Sequence, residues 1–103
     1  MIIQIAADRS LALEDAMNFK KFKVVCAMPE DRFADAAAAA PGTVSFDDTK
    51  TAWVSIAALK SWKGLADDPA WQDGLAAMIK VATPYGWVSE EKQAIKAHVE
   101  WAA

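Results

Sequence analysis

Residues 67–82, DDPAWQDGLAAMIKVA, constrain the fold most, because they predict an amphipathic helix whose apolar side must be buried. Asp68 is a good N-cap residue, and Pro69 suits the first helical position. Gly74 costs such a helix up to about 1 kcal/mol relative to alanine, which is tolerable if another element packs closely there. The apolar stripe consists of Trp71, Leu75, Met78, Ile79 and Ala82.

Strands and helices are predicted to alternate in the first half of the chain. Residues 2–7, IIQIAA, are rich in β-branched side chains and predict a strand. Residues 8–19 place apolar side chains at helical spacing after possible capping residues, which predicts a helix. Residues 22–28, FKVVCAM, are apolar on both alternating faces, which is typical of an inner strand.

A second helix and a hairpin are predicted to follow. The stretch PEDRFADAAAAAPG has Pro29 at its first turn, acidic residues beside it, and the stop signal Pro41-Gly42. Residues 43–54, TVSFDDTKTAWV, predict two short strands joined by the turn DDTK.

The tripeptide WVS occurs twice, at Trp53 and at Trp87. Tryptophan and valine favour extended backbone, and serine is a strong N-cap, so each copy predicts entry into a helix. Ser55 would cap a short helix, IAALKSWK, and Ser89 would cap a final helix from about Glu90 to Trp101. A helical repeat is the weaker interpretation, since the copies share little else and a single pair cannot form a solenoid.

These segments predict an α+β fold in a single domain spanning residues 1–103, in the order β-α-β-α-β-β-α-α-α. A small sheet of three to four strands would be covered on one face by helices. Two C-terminal helices would complete the core.

Charge and cysteine content argue against several classes of function. The net charge is −3, and the densest basic cluster, FKKFK, is short, so no nucleic-acid partner is expected. The single cysteine excludes an intramolecular disulfide and a cysteine-rich zinc site. The apolar start lacks a basic region, and no segment approaches about 20 apolar residues. We therefore expect a cytoplasmic protein without a membrane partner.

His98 is the only histidine, so any imidazole chemistry must use it. In a final helix it would lie on the apolar side with Ile95 and Val99, one turn from Trp101. One interpretation is a half-buried structural histidine, which is favoured because no partner is visible. The other is a catalytic acid or base at the mouth of an apolar pocket. No metal site and no cofactor are predicted.

Cys26 lies within an apolar strand, where cysteine usually behaves as a small hydrophobic residue with a raised pKa. The sequence does not show whether Cys26 and His98 lie near each other. A dyad of the two therefore stays open.

Five tryptophans are many for this chain, whose apolar fraction of 54% is inflated by alanine. Trp71 belongs to the core stripe, and Trp53 and Trp62 are expected in or beside the core. Tyr85 and Trp87 lie in the loop PYGW, where aromatic residues can contact a ligand or partner. With Trp101 they are the predicted binding residues, although Trp87 could instead seal the last helix against the sheet.

Three hypotheses for the function follow. The first is a small binding or regulatory module, a homodimer or the partner of another protein, that uses an aromatic surface near the Tyr85–Trp87 loop. The second is a small-molecule enzyme in which His98 acts as acid or base beside an apolar pocket lined by Trp and Met. Such a pocket could also bind a small apolar ligand. The third is a structural subunit of a larger assembly.

Overall fold

A computed structural model describes residues 1–39 and 42–102. These residues form an α+β fold built on one mixed sheet of seven strands, with three α-helices. The strands are β1 (Ile2–Ile5), β2 (Leu11–Glu14), β3 (Lys23–Cys26), β4 (Val44–Phe46), β5 (Thr51–Ser55), β6 (Val88–Ser89) and β7 (Ala94–Trp101). The helices are α1 (Phe33–Ala39), α2 (Ile56–Lys60) and α3 (Pro69–Ala82).

The sheet is larger than the predicted three to four strands, and it is curled into a half-barrel. Its strand order is β2-β1-β3-β7-β5-β4, and β6 pairs with β7 outside this series. The inner strands β1, β3 and β7 are parallel to one another, whereas the remaining pairs are antiparallel. The last strand in sequence therefore lies in the middle of the sheet.

The core lies on one face of the sheet, as predicted. Side chains of alternate strand residues, such as Val24, Val54 and Val99, form one cluster with Leu59 and Trp71 from the helices. The other face of the same strands carries residues such as Lys23, Lys96 and His98. Helices cover the apolar face because only that face offers a continuous hydrophobic surface.

The predicted helix over residues 8–19 is wrong, because this segment turns back and forms β2. The backbone N–H of Ala6 donates to the carbonyl of Ser10 (2.9 Å), which closes a hairpin. Arg9 adopts a left-handed backbone (φ 71°), and the Asp8 carboxylate accepts a hydrogen bond from the N–H of Ser10 (2.9 Å). Leu11 then pairs with Ile5, and the side chains of β2 alternate between the two faces of the sheet instead of forming one apolar side of a helix.

The predicted final helix from Glu90 to Trp101 is also wrong, because residues 94–101 form β7. Ser89 does accept a hydrogen bond from a residue three positions on, the N–H of Lys92 (3.0 Å). Here the bond closes a turn between β6 and β7. Gln93, the last residue before β7, has a positive φ of 51°. Glu90 and Glu91 therefore begin no helix.

Other predictions are confirmed. The strands within residues 2–7 and 22–28, the helix after Pro29 and the hairpin over 43–54 are all present. Ser55 accepts a hydrogen bond from the N–H of Ala58 (3.2 Å), as the first WVS copy predicts. Asp68 caps α3 by accepting from the N–H of Trp71 (3.1 Å). The stop signal at Pro41 lies outside the described residues.

Gly74 allows a close approach to α3, as its position within a helix suggests. A Cβ at Gly74 would lie 2.3 Å from the Phe19 ring, far inside van der Waals contact. Phe19 also packs against Trp71, with ring centroids 6.4 Å apart. The missing side chain at Gly74 thus lets residues before β3 pack against α3.

We predict that Gly74→Ala destabilises the protein although alanine is the better helix former. Overpacking costs about 1–3 kcal/mol, whereas the gain in helix propensity is about 1 kcal/mol. In a Phe19→Ala background the clash is absent, so the same change should raise the free energy of unfolding by about 0.5–1 kcal/mol. Urea unfolding of the four proteins measures this coupling, and equal effects of Gly74→Ala in both backgrounds would contradict it.

Candidate functional site

Two strands diverge along one edge of β7, and the candidate site lies where they part. β6 pairs with Ala94 and Ile95, whereas β3 pairs with residues 98–101. The opposite edge of β7 is occupied by β5. Trp87 comes directly before β6 and Phe22 directly before β3, so the two rings flank the gap. The N–H of Lys96 donates to the carbonyl of Trp87 (2.7 Å), which holds the Trp87 backbone against β7.

A groove of about 640 Å³ lies between α3 and the segment before β3. Its walls are mainly apolar, and Lys20 and Lys96 are its charged residues. Such a volume falls within the range of about 300–1,000 Å³ that is typical of ligand pockets. The lining residues are Phe19, Lys20, Phe22, Gly74, Ala77, Met78, Val81, Ala82, Trp87, Ile95 and Lys96.

A second cavity of about 320 Å³ has a different character, because polar side chains make up more than half of its lining residues. Phe22, Trp87 and Lys96 line both cavities and thus form a shared wall. The N–H of Val99 donates to the carbonyl of Lys50 (2.9 Å), which places Lys50 beside β7. The lining residues are Phe22, Lys50, Thr51, Trp87, Lys96, Ala97 and His98.

Tyr85 stacks on Trp87, which lines both cavities, with ring centroids 4.7 Å apart. Their exposed fractions are 66% and 49%, so neither seals the core. Gly86 between them has a φ of 75°, which turns the chain after α3. Val81 is also exposed, and it lines the groove together with Trp87.

His98 is exposed and borders the smaller cavity together with Trp87. It pairs with Lys23 in β3 and Thr51 in β5, and therefore lies on the face of the sheet opposite the core. The predicted position on an apolar helix side with Ile95 and Val99 is wrong, because those side chains point the other way from a strand.

Cys26 and His98 do not form a dyad. Cys26 is fully buried on the core face, whereas His98 lies on the opposite face. Burial raises the pKa of the Cys26 thiol from 9.0 to about 11 by desolvation. Cys26 thus behaves as the small hydrophobic residue that its strand position predicts.

Trp101 is not part of the aromatic surface at the gap. It lies five residues beyond Lys96 along β7, about 16 Å at the usual rise per strand residue. Its ring packs near Phe33 and Phe46, with centroids 6.1 and 6.2 Å away, and its Nε1 donates to the carbonyl of Thr49. These contacts assign Trp101 to one end of the core.

Trp53 also departs from its predicted place in the core, because it lies half-buried on the open face of the sheet. Its Nε1 donates to the Asp47 carboxylate (2.7 Å), and the Lys92 ammonium lies 5.2 Å from its ring centroid. Trp71 is fully buried and Trp62 packs beside the core, as predicted.

Lys50 and Lys96 are site residues that the sequence interpretation missed. The alternation of apolar and polar residues over 94–101 is the signal that would have identified Lys96, since it puts Lys96 and His98 on one face of a strand. No comparable signal marks Lys50, which reaches the site through the turn between β4 and β5.

Neither a metal centre nor a membrane span appears in the described part of the chain. No three His, Cys, Asp or Glu side chains within residues 1–39 and 42–102 are grouped so that they could hold a metal ion. None of the helices in these ranges is long and apolar enough to cross a membrane.

Comparisons of the chain with protein families, with curated proteins and with solved structures give no match.

We predict that Gly86→Ala destabilises the protein by about 1–2 kcal/mol, because a left-handed backbone is unfavourable for a residue with a Cβ. No atom lies within 4 Å of a Cβ at this position, so the effect is purely conformational. Gly42→Ala is the matched control, since it too has open space and its φ lies outside the left-handed region. Equal unfolding midpoints in urea for the two variants would contradict this account of the turn.

We predict that the free energy of unfolding falls as the pH rises from about 9 to about 11, and that Cys26 contributes to this fall. The unfolded thiol ionises near 9.0, whereas the folded thiol keeps its proton until its raised pKa of about 11. Unfolding therefore releases a proton in this window, and below it the thiol adds no pH dependence. Urea unfolding of wild type and Cys26→Ala should give parallel pH profiles up to about pH 9 and diverging ones above it. Parallel profiles throughout would show that desolvation does not shift this thiol.

Proposed function

We propose that this protein is a small cytoplasmic binding module whose ligand lies in the groove between α3 and the segment before β3. The Tyr85–Trp87 stack forms part of the rim and contacts the ligand. The observation that carries the proposal is the combination of a mainly apolar groove of about 640 Å³ with a half-exposed tryptophan in its wall. Exposed apolar surface of this kind is typical of binding sites.

A small molecule is favoured over a second copy of the chain as the occupant of this groove. In a symmetric dimer the same surface faces itself, so Lys20 and Lys96 of each copy would meet lysines of the other. Among the described residues lining the groove there is no carboxylate to compensate them. Self-association, which the sequence also suggests, is tested by the same experiment below.

An enzyme with His98 as acid or base is the second candidate. What favours it is that His98, Thr51 and Trp87 border one cavity that shares a wall with the apolar groove. General acid–base catalysis also needs a group that orients the imidazole, as a carboxylate does in many enzymes. The described lining of this cavity contains no carboxylate, and binding is therefore the better supported function.

We predict that filling the groove weakens ligand binding. The uncharged fluorescent probe N-phenylnaphthylamine should bind wild type saturably, and Ala77→Phe should weaken its affinity by about tenfold or more because the new ring occupies the groove. Ala76→Phe is the matched control: Ala76 is an exposed neighbour in α3 that does not line the groove. Its affinity should stay within about twofold of wild type.

Equal affinities of the two variants, or no saturable binding by wild type, would contradict the proposal. Sedimentation equilibrium of the same samples measures self-association. A dimer that Ala77→Phe dissociates and Ala76→Phe does not would assign the groove to a second copy instead.

A further inference from the structure

We propose that the ligand is an amphipathic carboxylate, with its apolar body in the groove along α3 and its carboxylate in the smaller cavity beside Lys50, Lys96 and His98. This inference rests on the proposed function, because it assigns the chemical class of the ligand for the same groove. The two cavities are neighbours, because Phe22, Trp87 and Lys96 line both, and the proposed ligand would pass these side chains from the first into the second.

The charges around the two cavities all have one sign. The described charged residues that line them are Lys20, Lys50 and Lys96, with His98 as the further titratable group. Among the described residues, no carboxylate lies within ion-pair distance of these three lysines, since the ion pairs found there involve other cations. Lys23, which pairs with His98 between β3 and β7, forms an ion pair with Glu100 (3.0 Å). The site thus offers positive charge that the protein itself does not neutralise.

The helix dipole sets the direction in which such a ligand would lie. The groove is lined by α3 from Gly74 to its end at Ala82, and the C-terminal end of a helix carries partial negative charge. An anionic group is disfavoured there. It is favoured on the far side of the shared wall, where Lys50, Lys96 and His98 lie.

A carboxylate fits this cavity better than a phosphate group. Phosphate sites commonly use helix N-termini, glycine-rich loops or the planar fork of arginine. The described lining of the smaller cavity contains no arginine and no glycine, and its residues come from strands and their connections rather than from a helix start. Two lysines without an arginine or a row of backbone N–H groups leave some oxygens of a phosphate without a donor, whereas a carboxylate has only two oxygens to satisfy.

The experiment compares decanoate, decanol and decyl phosphate as competitors that displace N-phenylnaphthylamine at pH 8. For wild type we expect decanoate to bind about tenfold more tightly than decanol, and more tightly than decyl phosphate. The double variant Lys50→Met/Lys96→Met should lose this preference for decanoate and keep its affinity for decanol. Lys80→Met, on α3 outside both cavities, is the control and should retain the preference. Lys20→Met alters the groove wall away from the smaller cavity and distinguishes an anion at that end from one beside Lys50 and Lys96.

The results distinguish failure of the carboxylate inference from failure of the proposed binding function. If decanol and the probe bind but decanoate gains nothing, or if the gain survives in Lys50→Met/Lys96→Met, the inference is overturned while the proposed function stands. Loss of the gain in Lys20→Met alone would place the anion at the other end of the groove and would also overturn it. A preference for decyl phosphate would replace the carboxylate by a phosphate ligand. No saturable binding of any probe would overturn the proposed function itself.

Discussion

The backbone hydrogen bonding of β7 to three other strands is the constraint on which the rest of the structure depends. β7 pairs with β5 along one edge, and with β6 and then β3 along the other. This position sends Ile95 and Val99 into the core, and Lys96 and His98 to the opposite face. Two residues of β7 separate its pairing with β6 from its pairing with β3. The same register therefore creates the gap that Trp87 and Phe22 flank. The core and the candidate site are therefore two consequences of one strand's register, and a slip by one residue would exchange them.

The packing of α3 explains why a groove exists beside this gap. Trp71 is fully buried, and its Nε1 donates to the carbonyl of Ala16 (2.9 Å), which ties the segment before β3 to the first half of the helix. Phe19 lies against the helix backbone at Gly74, in a space that the side chain of any larger residue at position 74 would occupy. Towards Val81, which is exposed, the same two elements line the groove. A tight contact at one end of α3 thus holds its other end in position for a ligand.

Sequence patterns predicted the elements whose local signals agree with their tertiary setting. The caps and the apolar stripe of α3 are of this kind, and so is the break in the chain at residues 83–86. The sequence predicts a helix for residues 94–101 instead of a strand, because Ile95 and Val99 lie on the same side of either structure. Their spacing therefore does not distinguish the two. His98 and Trp101 share a side only in a helix, and strand pairing overrides that local preference. The predicted sheet is too small for the same reason, and also because the chain turns at Arg9. Arg9 has a positive φ, and a non-glycine residue gives no sequence signal for such a turn.

The site carries an excess of lysine in a protein of net charge −3, and none of the described carboxylates lines either cavity. Asp48 accepts hydrogen bonds from the N–H groups of the turn before β5, and Asp68 caps α3. Asp35 binds two arginines on the surface, and the pKa of its carboxyl is lowered mainly by the hydrogen bond from Arg32. The repulsion between the overall negative charge and an anion is screened beyond about 8 Å at physiological ionic strength, whereas the site lysines act at contact distance. We therefore expect an anion with an apolar body to gain from these lysines and the apolar walls together, whereas a small hydrated anion would gain little.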